Sequence, residues 1–131
     1  NIESEIKKLN IEGDVLLLGV ISNVNEILQA MDIFVMPSLF EGLPFALLEA
    51  QAAGLKCIVS DTVSPEADIV GWNRFLPLEL EDNLWAKNIL DVEQEYNRIV
   101  GYEVMKKNGF DITDGVREVE RCIDLKLESQ S

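Results

Sequence analysis

Apolar residues fall along this chain in two alternating patterns. Short unbroken runs, Val-Leu-Leu-Leu at 15–18, Ile-Phe-Val at 33–35 and Cys-Ile-Val at 57–59, have the character of strands covered on both faces in a parallel sheet. Between them apolar positions recur at three- and four-residue spacing, which is helical. Ile2, Ile6 and Leu9 predict a helix over 2–9, and residues 10–14, with Gly13 and Asp14 as the break, predict a turn. Val24, Ile27 and Leu28 predict the inward face of a second helix running to Ala30, capped by Ser22 or Asn23. The segment 45–53 is apolar on nearly every face, so it predicts a helix buried against the sheet, with Gly54 as its stop. Strands alternating with helices in this way imply an α/β fold with right-handed crossovers.

After Asp61 the pattern loosens. Ser64-Pro-Glu66-Ala-Asp68 reads as a loop with a short turn, and Ile69-Val70 and Phe75-Leu76 as short strands around the break at Gly71-Trp72-Asn73. Leu84, Trp85, Ile89 and Leu90 predict a helix capped by Asp82 or Asn83. A further helix is predicted from about 93 to 108, with Tyr96, Ile99, Val100 and Met105 toward the core and Gly109 as its stop. A last one, capped by Asp111 or Thr113, aligns Val116, Val119, Ile123 and Leu127. Trp85, Tyr96 and Tyr102 read as packing residues.

The organising stretch lies at 32–49. A strand over 32–36 runs into Pro37-Ser38, a short loop carries Glu41 and Gly42, and Pro44 stands where a helix begins. Proline suits a first helical position, because its missing N–H has no partner to lose there and its φ is already helical. Only Glu49 and Gln51 interrupt the apolar helix that follows. Glu49 has two readings. One is a carboxylate favoured by the positive end of the helix dipole, worth roughly 0.3–1 kcal/mol. The other is a carboxylate beside an anion site formed by free N–H groups, placed to hold hydroxyls.

Composition narrows the classes. At 131 residues, nearly half of them hydrophobic, the chain reads as one domain with ample material for a core. No apolar run approaches the roughly 20 residues of a membrane span. Asn1 opens the chain without an initiator Met, and a domain belonging to a longer protein is the expectation. Cys57 and Cys122 do not make a disulfide framework and fit reduced thiols in the cytoplasm. The absence of His removes imidazole metal sites and His-based triads. A net charge of −13, from 24 acidic and 11 basic residues, argues against nucleic acid as a partner and against unaided binding to anionic lipid.

In open α/β sheets ligands sit beyond the carboxyl ends of the strands. Three loops leave those ends: 19–23, 37–44 and 60–65. Their expected convergence is a structural argument for a site. Ser60, Asp61 and Thr62 read as turn and cap chemistry rather than catalysis.

The segment Glu41-Gly-Leu-Pro-Phe-Ala-Leu-Leu-Glu49, with Asp-Ile-Phe-Val-Met-Pro-Ser before it at 32–38 and Ala-Gln-Ala-Ala-Gly-Leu-Lys-Cys-Ile-Val-Ser-Asp after it at 50–61, resembles the signature of family-4 glycosyltransferases of the GT-B fold. The likeness is specific from about residue 9 to 61 and looser through 72–78 and beyond. It implies a Rossmann-like parallel sheet with flanking helices, the C-terminal half of a GT-B protein. Residues 1–131 would form one nucleotide-sugar-binding domain, closed by helices at about 82–127, with the amino-terminal acceptor domain absent.

The resemblance also implies roles. Glu49 would accept both ribose hydroxyls of the donor, and Glu41 would contact the donor sugar and act in catalysis. Backbone amides of Gly42, Leu43, Pro44's successor Phe45 and the turn that Pro44 shapes would meet the diphosphate. The loop carrying Val20 and Ile21 would face the base. The donor expected is a nucleotide diphosphate sugar, UDP-linked, transferred with retention and without a divalent metal or other cofactor. The setting expected is bacterial surface polysaccharide synthesis in the cytoplasm, membrane-associated through the missing domain. One departure stands out: in the family an Arg and a Lys clamp the diphosphate, and no residue here matches them. Lys7 and Lys8 lie on a helix and are poor substitutes. Two rivals remain, a non-catalytic α/β binding domain that kept the fold, and a nucleotide-sugar epimerase of the same fold, against which the lack of His counts.

Overall fold

A computed structural model describes residues 1–93 and 96–111. Helices α1 (Ile2–Leu9) and α2 (Val24–Ala30) precede strand β1 (Ile33–Met36). Helix α3 (Phe45–Ala52) leads to strand β2 (Lys56–Ser60), and a 3-10 turn at Pro65–Ala67 leads to strand β3 (Arg74–Leu76). Helices α4 (Asp82–Leu90) and α5 (Ile99–Lys107) follow. The strands form one parallel sheet in the order β1-β2-β3. This is the α/β arrangement that the strand–helix alternation implies, with the Rossmann-like parallel sheet that the resemblance implies. Among the described residues no helix is long and apolar enough to cross a membrane.

The register explains why both faces are apolar. Phe34 pairs with Cys57, Met36 with Val59, and Val59 with Phe75. All of these side chains join one cluster with Leu28, Leu47, Ala50, Leu55, Val63 and Ala67. Alternate positions point the other way. Ile58, Leu76 and Ile33 meet Val92, Trp85 and Ile89 in a second cluster. Helix α3 therefore covers one face of the sheet and α4 the other, which is why the strands read as unbroken apolar runs.

Four expectations need correction. The run at 15–18 carries no ladder, and Leu16 is 80% exposed. A strand persists only where its N–H and C=O groups find partners, and among the described residues none pairs with it. Helix α3 is not buried on every side: Leu47, Leu48, Ala50 and Gln51 face inward, but Phe45 is 80% exposed. Ile69-Val70 is no strand, because both amides donate to the side chain of Gln51 at 2.9 and 3.1 Å. Helix α5 starts at Ile99 rather than near 93. The residues before it are drawn to different elements. Val92 enters the second cluster, Tyr96 stacks edge-on against Trp72 and accepts from the Lys56 amide, and Arg98 reaches back to α2 and α3.

Smaller differences follow from the same packing. Ile2, Leu9, Leu90 and Ile99 are exposed, as is Tyr102, whose hydroxyl meets Asp111. The cap of α4 is Glu81. The predicted last helix and Cys122 lie outside the described residues.

Arg98 is the cross-brace of the domain. Its guanidinium donates to the carbonyls of Leu28, Gln29 and Met31 at the end of α2 and to that of Ala53 at the end of α3, at 2.9–3.2 Å. Carbonyls in the last turn of a helix lack the usual i+4 donor, and of these four that of Leu28 also accepts the Met31 amide at the cap of α2. The backbone runs so close here that a side chain on Gly54, held at φ +73°, would collide with the carbonyl of Arg98.

Candidate functional site

Strand β1 ends at Met36, and the loop that leaves it carries Ser38, Glu41 and Gly42 before Pro44 turns the chain into α3. Pro44 is the residue just before the first helical one, with φ −74° and ψ 120°. It shapes the entry one position earlier than the sequence pattern suggests. Its carbonyl accepts the amides of Leu47 and Leu48, and no side chain caps the helix. The amides of Phe45 and Ala46, in the first turn, are left as donors of the kind that favour anions.

Glu49 lies one turn further on, on the same side as Phe45, and is exposed. The first turn of α3 contains no acidic residue. The helix dipole acts mainly within that first turn, so it accounts poorly for a carboxylate in the second. Among the described residues neither Glu41 nor Glu49 has a side-chain hydrogen bond or ion pair. An added Cβ on Gly42 would meet nothing within 4 Å, so the loop is open in front of that residue.

The loop is fastened at two points. The carbonyl of Ser38 accepts from Ser60 Oγ at 2.5 Å and from Thr62 Oγ1 at 2.6 Å. Glu41 forms a parallel β-bridge with Val63, and its carbonyl accepts the Ser64 amide at 3.2 Å. Behind them Gln51, fully buried, fastens the residues that follow, 67–70, to α3. Its Nε2 donates to the carbonyls of Leu47 and Ala67, and its Oε1 accepts from Ile69 and Val70. All four bonds available to a carboxamide are made.

Two of the three expected loops thus come together at the carboxyl ends of β1 and β2. The third, at 19–23, is joined to neither by a hydrogen bond among the described residues, and Val20 stands fully exposed with Ile21 half-buried. The roles of Ser60, Thr62, Gln51 and Arg98 are not visible in the sequence pattern. Gln51 left a trace, since a polar residue on an apolar helix face needs buried partners. No three carboxylate or thiol groups among the described residues converge to hold a metal ion.

Comparison with known proteins adds the missing term. The model for the family described as glycosyl transferases group 1 matches residues 1–94. The chain belongs to the group 1 glycosyl transferases. Its sheet accords with one half of the GT-B fold, and the match contains Glu41, Glu49 and the segment that fastens their loop. The E. coli UDP-Gal:alpha-D-GlcNAc-diphosphoundecaprenol alpha-1,3-galactosyltransferase is 35% identical over 133 aligned positions, covering 92% of this chain. The EpsF protein of Bacillus subtilis (strain 168), whose name assigns it provisionally to the glycosyltransferases, is 44% identical over 89 residues, 67% of this chain. The N,N'-diacetylbacillosaminyl-diphospho-undecaprenol alpha-1,3-N-acetylgalactosaminyltransferase of Campylobacter jejuni is 37% identical over 98 residues, 73% of this chain. The chain spans only 23–31% of the length of these relatives. Arg98 lies past the family match, although it braces the glycosyl transferase helix that carries Glu49.

Proposed function

We propose that this chain supplies part of the donor site of a glycosyltransferase and works within a protein of its relatives' length. The observation that carries the reading is the placement of Glu49. It is exposed and without a partner among the described residues, one turn past an uncapped helix start at the carboxyl ends of two parallel strands. In this reading Glu49 accepts the two ribose hydroxyls of a nucleotide diphosphate sugar, an efficient use of two acceptor oxygens. The amides of Gly42, Leu43, Phe45 and Ala46 face the diphosphate, and Val20 and Ile21 lie toward the base. Glu41 stands at the sugar, where a carboxylate favours positive charge developing at the anomeric carbon. Charge stabilisation at the departing diphosphate supplies most of the rate, without a divalent metal, and transfer proceeds with retention.

The name of the E. coli relative includes UDP-Gal, which supports a UDP-linked donor here. Two relatives are named for diphosphoundecaprenol-linked acceptors, which supports bacterial surface-glycan synthesis on the cytoplasmic side, with acceptor and membrane met through parts outside these residues. One variant of the full-length protein tests the part given to Glu41. Glu41→Gln should lower turnover at least about tenfold, roughly 1.4 kcal/mol of barrier, with nucleoside diphosphate affinity nearly unchanged. Turnover within twofold of the parent removes Glu41 from the chemistry.

A further inference from the structure

Ser38 and Glu41 lie three positions apart on the loop, and each carbonyl is held by the end of β2 and the segment that follows it. That segment is itself immobilised. Ser60 and Val63 are 0% and 1% exposed, and the Val63 amide donates to the Ser60 carbonyl. Between the two attachment points Leu39 and Phe40 stand out into solvent, 86% and 82% exposed. Glu41 is therefore held by hydrogen bonds to main-chain carbonyls on either side of a protruding tip rather than by packing of its own loop.

The first attachment depends on two hydroxyls. Thr62 Oγ1 lies 2.6 Å from the Ser38 carbonyl oxygen and 2.9 Å from Ser60 Oγ, and Ser60 Oγ lies 2.5 Å from the same carbonyl. Each hydroxyl has one proton to give and a carbonyl oxygen accepts two bonds. Both hydroxyls can then donate to Ser38 together, or Thr62 can donate to Ser60, which donates to Ser38. Either way Thr62 is the outer member of the pair, exposed to solvent, with no core to support.

We infer that Thr62 is a positioning residue for Glu41, acting through the carbonyl of Ser38 while the Glu41–Ser64 hydrogen bond holds the other end. This rests on the reading of Glu41 as the carboxylate at the donor sugar. Loss of the hydroxyl leaves the loop attached at its first point by Ser60 alone, and a small displacement of a reacting group can cost orders of magnitude in rate. The cost falls on turnover, because the helix amides and Glu49 are fixed separately by the buried face of α3, Leu47, Leu48 and Ala50.

Thr62→Val keeps the shape of the side chain and removes only the hydroxyl. In the full-length protein it should lower kcat at least about fivefold while donor KM and melting temperature stay at parent values. Thr62→Ser, which restores a hydroxyl, should recover the rate. In a Glu41→Gln background the same Thr62→Val change should cost little, since two residues acting as a unit are not additive. Full parent kcat in Thr62→Val beside a slow Glu41→Gln overturns the inference and leaves the reading of Glu41 standing. A Thr62→Val loss that persists undiminished in Glu41→Gln also overturns it, because the effect then runs elsewhere. If Glu41→Gln itself turns over at the parent rate, the reading of Glu41 fails and the inference falls with it.

Discussion

Cys57 sits in the middle strand with its thiol pushed up to about 12, first by burial and then by the negative charge of Asp68. The thiolate is the reactive form, so the folded protein keeps this sulfur inert. In a Cys122→Ser variant at pH 8, a disulfide reagent should label Cys57 at least about a hundredfold more slowly than in denaturant. Equal rates would mean that the strand opens readily. The linkage has a definite sign. The folded state keeps the proton that the unfolded chain releases near its ordinary value of 9.0. The contribution is whole below pH 9 and is lost as pH rises toward about 12. At this scale the sequence disclosed the positions of Glu41 and Glu49, because carboxylates in an apolar stretch are conspicuous. It did not disclose Thr62 or Arg98. Their partners are main-chain carbonyls 24 and 45–70 positions away, and a carbonyl leaves no mark on residue identity.

Helices and strands followed the apolar pattern wherever packing supplied a partner. Strands β1 and β2 and helix α3 were legible because apolar runs bounded by Pro37 and Gly54 leave few alternatives. The run at 15–18 has the same composition, yet makes no strand, since ladder partners are a tertiary matter. Helix α5 was predicted too long because Tyr96 shares helical spacing with Ile99 while its ring lies 5.4 Å from Trp72. The brace at Arg98 yields a prediction for elements rather than for chemistry. Arg98→Ala should destabilise the chain by at least about 2 kcal/mol in urea unfolding, because it strips charged hydrogen bonds from the ends of two helices. Arg98→Lys should recover only part of that, since one ammonium cannot reproduce a fork spanning α2 and α3. A loss below about 0.5 kcal/mol, the ordinary range for a surface change, would show that the helix ends are satisfied without it.

As a whole the molecule carries a net charge of −13, while its proposed ligand carries two phosphates. Repulsion at that range is screened within about 10 Å at ordinary salt, but the helix amides then have to hold the diphosphate without a basic clamp from these residues. The 131-residue chain alone should therefore show no sugar transfer and bind nucleotide weakly at best. Micromolar affinity by calorimetry would mean that the amides and Glu49 suffice. In the full-length protein, Glu49→Ala should weaken donor binding by about 1.5–3 kcal/mol, the range for a hydrogen bond to a charged group, with the fold intact because Leu47, Leu48 and Ala50 still pack. An unchanged affinity would return Glu49 to a surface role on α3.

Even weak binding has a location that can be measured. Titration of the isotopically labelled chain with uridine diphosphate, followed by amide NMR, reads that location directly. The largest shifts should fall at Gly42, Leu43, Phe45, Ala46 and Glu49, with smaller ones at Val20 and Ile21. Lys56 and Arg74, which begin β2 and β3 at the amino ends of the strands, should stay unmoved. Shifts concentrated around Lys56, Trp72 and Arg74, with the turn at 42–49 silent at saturating nucleotide, would contradict this placement of the site.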